Sequence, residues 1–180
     1  MKYTDIQWRV AAIPTMMNEI QKEFLFNCAR KKKILVEIGT WKGGTAAILS
    51  CASPRGKVFT IDNYSYDGAE KATIEEVQEN LKKTRKRNVQ IIVETSHNAS
   101  KNWNSPIDFL FIDGDHSYEA VKQDIEDWLP HVVQGGSIVF DDYESMPEVN
   151  MVVNEMIENG ILELLDRDKT VGRTALTRKI

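Results

Sequence analysis

Short, nearly continuous apolar runs recur along this chain at intervals that leave room for a helix between them. Residues 34–38, 58–61, 89–93, 109–112 and 137–140 are rich in β-branched or aromatic side chains and show little polar alternation. A strand with one wet face alternates, whereas a strand apolar throughout is covered on both faces, as in a parallel sheet. The intervening segments have helical character. Residues 15–30 place Met16, Met17, Ile20, Phe24 and Leu25 at helical spacing, and residues 44–52 are rich in Ala, Ile and Leu. Residues 69–87 are highly charged and read as a surface helix. Residues 117–129 set Ala120, Val121, Ile125, Trp128 and Leu129 on one stripe. Residues 147–159 open on a proline, which suits a first helical turn. A helix followed by repeated strand–helix units predicts an α/β fold with a mostly parallel sheet. The last part differs. Residues 161–165 and 174–177 are strand candidates separated by the polar stretch 166–173, which carries Gly172, so a terminal antiparallel hairpin is expected. One domain is expected over residues 1–180, with a helical segment over 1–32 and the strand–helix core over 33–180.

Charge and composition narrow the partners. Lys and Arg number 23 against 27 Asp and Glu, a net charge of −4, which argues against nucleic-acid binding through bulk charge. No apolar run reaches the ~18 residues of a membrane span, and the first residues carry no apolar signal core. Cys28 and Cys51 make neither a disulfide framework nor a metal set. The expectation is a soluble domain in a reduced, cytoplasmic setting, with neither a nucleic-acid nor a membrane partner. The basic clusters at Lys31–Lys33 and around Lys82–Arg87 read as helix ends, where cations suit the helix dipole.

The first apolar run leads into Glu37-Ile38-Gly39-Thr40-Trp41-Lys42-Gly43-Gly44-Thr45. In an open α/β sheet, ligands bind beyond the carboxyl ends of the strands. Glycines there let the backbone pass close to a ligand, and the free N–H groups of a following helix favour an anion or carboxylate. The spacing is not a dinucleotide fingerprint, because Trp41 stands where its second glycine belongs. Nor is it a Walker A loop, because Thr45 stands where lysine is needed. What remains is E-x-G-x-x-x-G, and a carboxylate beside the turn suits a cationic ligand better than a pyrophosphate. A tight strand–helix turn alone also explains the glycines. Asp62, 23 positions after Gly39 at the end of the next apolar run, is placed to hydrogen-bond ribose hydroxyls, so the pair points to an adenosine-type ligand.

Two further runs end in acid: Phe109–Ile112 leads into Asp113-Gly114-Asp115-His116, and Ser137–Phe140 leads into Asp141-Asp142. If their strands are parallel neighbours, these carboxylates share a small volume, a costly arrangement unless a cation or protons offset it. All-oxygen ligation suits Mg²⁺, Ca²⁺ or Mn²⁺, so Asp113, Asp141 and Asp142 are the expected ligands of a divalent metal. Asp115 and Asp141 would equally serve as caps of a helix or turn. His116 is the candidate base near neutral pH. His97 and His131 have less acidic company.

With these residues assembled, the chain resembles the class I S-adenosylmethionine-dependent methyltransferases. It is most similar to the small-molecule O-methyltransferases of catechol, caffeoyl-CoA and macrolide-sugar type. VEIGTWKGGT (36–45), FTID (59–62) and above all IDFLFIDGDHSYEAVKQDIEDWLPHVVQGGSIVFDDY (107–143) carry the likeness, which covers roughly residues 30–178. It implies a Rossmann-like, mostly parallel seven-stranded sheet with a C-terminal antiparallel pair and helices on both faces. It also implies S-adenosylmethionine as cofactor and, for the metal-dependent branch, Mg²⁺ or another divalent cation. Glu37, Gly39 and Gly43 would shape the methionine end of the pocket, with Thr45 near its carboxylate. Asp62 would bind the ribose, Ser96 would lie near the adenine, and Asp113 would join them. Asp113, Asp141 and Asp142 would match the metal ligands. His116 falls where the catechol-type enzymes place a lysine, so it and Asp113 are the catalytic candidates. The implied reaction is methyl transfer to a hydroxyl of a small-molecule acceptor. Trp41, Trp103, Tyr64 and Tyr143 are candidates to stack on adenine or acceptor. Only Met1 to Lys33 precedes the first strand, so an open acceptor pocket, or a homo-oligomer in which a second subunit completes it, is expected. Two other readings keep a foothold: a metal-dependent nucleotide-sugar transferase, from the DxD at Asp113 and Asp115, and a non-catalytic S-adenosylmethionine-binding protein.

Overall fold

The computed structural model describes residues 1–65, 70–167 and 174–180. Strands β1 (Ile34–Ile38), β2 (Lys57–Asp62), β3 (Val89–Val93), β4 (Ile107–Ile112), β5 (Val132–Phe140), β6 (Leu162–Arg167) and β7 (Ala175–Lys179) form one sheet in the order β3-β2-β1-β4-β5-β7-β6. β1 to β5 run parallel, and β7 lies antiparallel between β5 and β6. The helices are α1 (Gln7–Val10), α2 (Glu19–Ala29), α3 (Gly44–Ala52), α4 (Ile74–Lys83), α5 (Ser96–Lys101), α6 (Tyr118–Trp128) and α7 (Pro147–Glu158). This is the expected mostly parallel sheet with an antiparallel C-terminal pair. The connection expected over 166–173 lies largely outside the described residues.

Unbroken apolarity in the central strands has the expected cause. Phe109 and Phe111 of β4 enter one core with Leu35, Val58, Val139 and the buried residues of α2 and α3. Leu110 and Ile112 enter the other, with Val36, Ile138, Phe140 and the inner stripes of α6 and α7. Successive side chains of a strand point to opposite faces, so a strand with helices on both sides has no wet face to mark with a polar residue. α3 is buried along its whole length, between the sheet and the N-terminal helices. No polar face was needed there, hence Ala-Ala-Ile-Leu.

Caps set the helix starts. Asn18 Oδ1 accepts the N–H groups of Ile20 (2.9 Å) and Gln21 (3.0 Å), and Gln21 Oε1 accepts the N–H of Asn18 (3.0 Å). This capping box starts α2 at Glu19 rather than at residue 15. Thr73 Oγ1 accepts the N–H of Glu76 at 3.2 Å and starts α4 at Ile74, later than the charge pattern suggests. The short helices α1 and α5 have too few turns to leave a periodic signature.

The parallel ladder continues past the strand ends. Gly39 donates to the carbonyl of Ile61 (2.9 Å), Asp113 to that of Ile38 (2.9 Å) and Asp141 to that of Ile112 (3.1 Å). The chain thus leaves β1, β4 and β5 side by side along one edge, at the point where strand order reverses between β1 and β4. Gly39 has φ +89°, and a Cβ there would lie 1.9 Å from the carbonyl oxygen of Asp113. Neither the dihedral nor the space admits a side chain. Gly39→Ala is therefore expected to lower stability by about 3 kcal/mol or more, from overpacking and a left-handed alanine together, measured by thermal or urea unfolding.

Candidate active site

The turn after β1 is locked from β2. Asp62 Oδ2 accepts the N–H groups of Thr40 (3.0 Å) and Trp41 (2.9 Å), and its Oδ1 accepts the N–H of Tyr64 (2.7 Å). A carboxylate offers roughly four acceptor positions, so three are engaged by the backbone and one is left for a ligand. Gly43, with φ +82°, caps α3, and Thr45 is buried in its first turn. Glu37 is fully buried on β1. Its Oε2 accepts from the Thr60 hydroxyl, and the Thr45 hydroxyl stands beside the carboxyl; Oε1 has no hydrogen-bond partner. Burial pushes the Glu37 carboxyl up to about 8. The Thr45 and Thr60 hydroxyls pull it down, and the negative charges of Asp113 and Asp62 add to the rise.

The exits of β4 and β5 bring Asp113, Asp141, Asp142 and His116 into one corner. His116 Nε2 stands 3.4 Å from Asp142 Oδ2 and 3.8 Å from Asp113 Oδ1. The Asp113 carboxylate raises the pKa of this imidazole, with Asp142 and Asp141 adding to the rise against the lowering effect of burial. Asp141 Oδ1 accepts from Thr174 Oγ1 at 2.9 Å, with Gln21 Nε2 at 3.4 Å. Burial, and then the charge of Asp113, push Asp141 up to about 7. Among the described residues, no group of three or more His, Cys, Asp or Glu side chains is arranged to hold a metal ion. The described residues therefore do not display the expected set of Asp113, Asp141 and Asp142 as a coordination site. The three carboxylates do converge, but an imidazole stands beside two of them and a hydroxyl and an amide face the third. Asp115 is a turn residue: its Oδ1 accepts the N–H of Ser117 at 2.7 Å ahead of α6.

A cavity of about 800 Å³ adjoins these residues; Asp113 is among those that line it, whereas Glu37 and Gly43 lie behind its wall. Along the strand order it is lined by Thr95, Ser96 and His97 after β3, Asp62 at the end of β2, Gly39 after β1, and Asp141 and Asp142 after β5; Thr45, His116 and Asp124 of α6 also line it. Of the four candidate aromatics, the structure brings only Trp41 and Tyr64 to the cavity. Trp103 packs in the core against Phe59 and Trp128, and Tyr143 is buried with its hydroxyl on Asn154 Oδ1 (2.8 Å). His97 lines the cavity, but its Nδ1 pairs with Asp127 Oδ2 at 2.8 Å. Trp41, Tyr64 and Asp142 hold left-handed backbone conformations (φ 44°, 52° and 55°), which a fold tolerates only where the surroundings enforce them.

Sequence reasoning missed Pro14, Thr15 and Met16, which line the cavity as a strap before α2. The strap passes so close to Gly44 that a Cβ there would lie 2.2 Å from the Pro14 carbonyl oxygen. The short N-terminal segment thus supplies a wall of its own. Gln21 and Asp124 were also missed. Each is a polar side chain among the buried positions of an otherwise apolar helix stripe, and that intrusion was the available signal.

Comparison with known proteins agrees with this geometry. A family model described as a methyltransferase domain matches residues 36–143. An uncharacterized protein of Acanthamoeba polyphaga mimivirus is 34% identical over 139 residues, which are 67% of this chain and 59% of that protein. The chain therefore spans less than two thirds of that relative. Among solved structures, an O-methyltransferase from Bacillus cereus in complex with SAH superposes with a TM-score of 0.72 at 15% identity, over 98% of this chain and 90% of that one. A putative caffeoyl-CoA O-methyltransferase from Staphylococcus aureus gives 0.72 at 18% identity, over 99% and 90%. At such identities the likeness is one of fold.

Glu37 gives a pH test of the site. Its folded pKa lies above the unfolded value, so the folded state holds a proton that the unfolded state releases. Its contribution to stability therefore falls as pH rises from about 4.5 to about 8. Glu37→Gln removes that titration. Urea unfolding between pH 5 and pH 8 is expected to show the variant gaining stability relative to the native chain as pH rises.

Proposed function

The chain belongs to the methyltransferase domain family, and from that premise we propose that it transfers the methyl group of S-adenosylmethionine to a hydroxyl of a small molecule. The observation that carries this reading is Glu37: a fully buried carboxyl with an unpartnered oxygen, set beside a glycine turn at the point where the sheet reverses its strand order. A phosphate ligand would hold this carboxyl in its protonated form, whereas the positively charged methionine end of S-adenosylmethionine would stabilise the ionised one. When bound, that cofactor supplies an electrophilic methyl on a positively charged sulfur.

The chain's own residues supply the rest. Gly39 and Gly43 let the backbone approach the methionine end, and Thr45 offers its hydroxyl to the carboxylate. Asp62 holds the turn with two of its acceptor positions and Tyr64 with a third, and offers the remaining one to a ribose hydroxyl. Ser96 and its neighbours border the base. His116 accepts the proton of the acceptor hydroxyl. Asp113 and Asp142 orient the ring and stabilise the imidazolium formed. No step is assigned to a metal. The strap at residues 14–16, with Trp41 and Tyr64, walls the side where a small acceptor would enter.

Calorimetric titration with S-adenosylmethionine and S-adenosylhomocysteine, followed by assays of labelled-methyl transfer to a panel of catechols, phenols and sugars, tests the reading. Binding of both and a labelled ether product are expected. Binding without transfer to any acceptor would favour a non-catalytic role, and no binding would sink the proposal. His116→Asn is expected to lower kcat by about 10²–10⁴-fold while leaving S-adenosylhomocysteine binding unchanged.

A further inference from the structure

α6 presents a buried stripe of Val121, Asp124, Ile125 and Trp128. Three of these are apolar and pack in the core beneath the sheet; the fourth is a carboxylate, 7% exposed. The fold does not need an acid in that slot. A buried carboxylate without a cation is costly, and among the described residues Asp124 forms no ion pair. Its nearest polar company is the Ser96 hydroxyl; Ser96 Oγ also accepts the Trp128 indole N–H at 2.8 Å. Burial pushes Asp124 up to about 6, and the charges of Asp127 and Asp115 add to the rise.

Asp124 also lines the cavity. Gly114 lies beside it: a Cβ there would stand in ordinary contact, 3.7 Å from Asp124 Oδ2, and 3.3 Å from Ile38 Cγ2. Position along the sheet edge then fixes which part of a ligand would meet it. Asp62 ends β2, and the turn that it locks follows β1. Beyond them, the cavity is bounded by the start of α5 and by α6. With a ribose at Asp62 and the methionine end at Glu37, the nucleobase falls between α5 and α6.

We propose that Asp124 is the acceptor for the exocyclic amine of the cofactor's base, and that Ser96 serves it as a positioning residue rather than reading the base alone. This rests on the S-adenosylmethionine reading above. A carboxylate aimed at the base edge selects for a donor and against a carbonyl. The amine would restore to the carboxylate a hydrogen bond that burial from water has removed.

The test compares three ligands by calorimetry: S-adenosylhomocysteine, its inosine counterpart with a carbonyl in place of the amine, and the purine analogue with hydrogen there. The native chain is expected to bind both analogues at least about tenfold more weakly, the order expected for a lost hydrogen bond to a charged group. In Asp124→Asn, whose amide can donate to the carbonyl, the preference for S-adenosylhomocysteine over the inosine form is expected to shrink at least about tenfold. Equal binding of the three ligands by the native chain would overturn the assignment without any variant. So would an Asp124→Asn variant that weakens S-adenosylhomocysteine and its inosine form alike, since a purely structural carboxylate does just that. Failure of the native chain to bind S-adenosylhomocysteine at all would instead refute the cofactor reading on which the assignment stands.

Discussion

The close passage of two backbones governs this molecule. Where β1 and β4 leave the sheet, Gly39 comes so near the Asp113 carbonyl that one added carbon would not fit. That contact sets the two exits side by side and continues the ladder beyond the strands. It brings Asp113 and His116, at the exit of β4, into line with the turn from β1 into α3. Asp62 holds that turn by accepting the backbone N–H groups of Thr40 and Trp41, and fixes the chain after β2 by accepting that of Tyr64. A single carboxylate thus does for the loop what a strand ladder does for the sheet. The residues that would meet a ligand are presented by backbone that has little freedom left.

Electrostatics at this edge runs against ordinary folding preference. Glu37, Asp124 and Asp141 are all buried, and burial is the first cause of the rise in each pKa. A protein selected for stability alone would place apolar side chains in such slots. Asp124 and Asp141 line one cavity, with three left-handed non-glycine residues in its wall, and Glu37 lies buried next to the lining residue Ile38; together they mark the region where fold stability has been given up for something else. His116 is the counterweight in the acidic corner. Its imidazole lies within reach of Asp113 and Asp142, whose carboxylates favour its protonated form.

Much of the sheet was legible because a strand buried on both faces has to be apolar throughout. β1 and β3 match the sequence reading end to end, and α3 begins and ends where its composition suggested. The ends of α2 and α4 were not legible from periodicity, since the local caps Asn18 and Thr73 decided them. The glycine turn, Asp62 and the acidic exits were readable because each sits directly after an apolar run, where the topology forces a common edge. The metal set was inferred from like charges in a small volume. The sequence could not reveal that Thr174 and Gln21, 33 and 120 positions away from Asp141, would face that aspartate. Nor could the cavity's strap be read locally, since Pro14-Thr15-Met16 matters only through its passage over Gly44. Gln21 and Asp124 were visible as polar residues in apolar stripes, a sign easily passed over as surface.

The sheet order also constrains the sequence of assembly. β6 is made before β7, yet among the described residues its sheet partner is β7, which lies between it and β5. On a chain emerging from its N-terminus, β6 has no edge to join until β7 has slid into place beside β5. Thr174 arrives with β7, and its hydroxyl on Asp141 completes the acidic corner. Closure of that corner of the candidate site therefore depends on the pairing of β7 with β5.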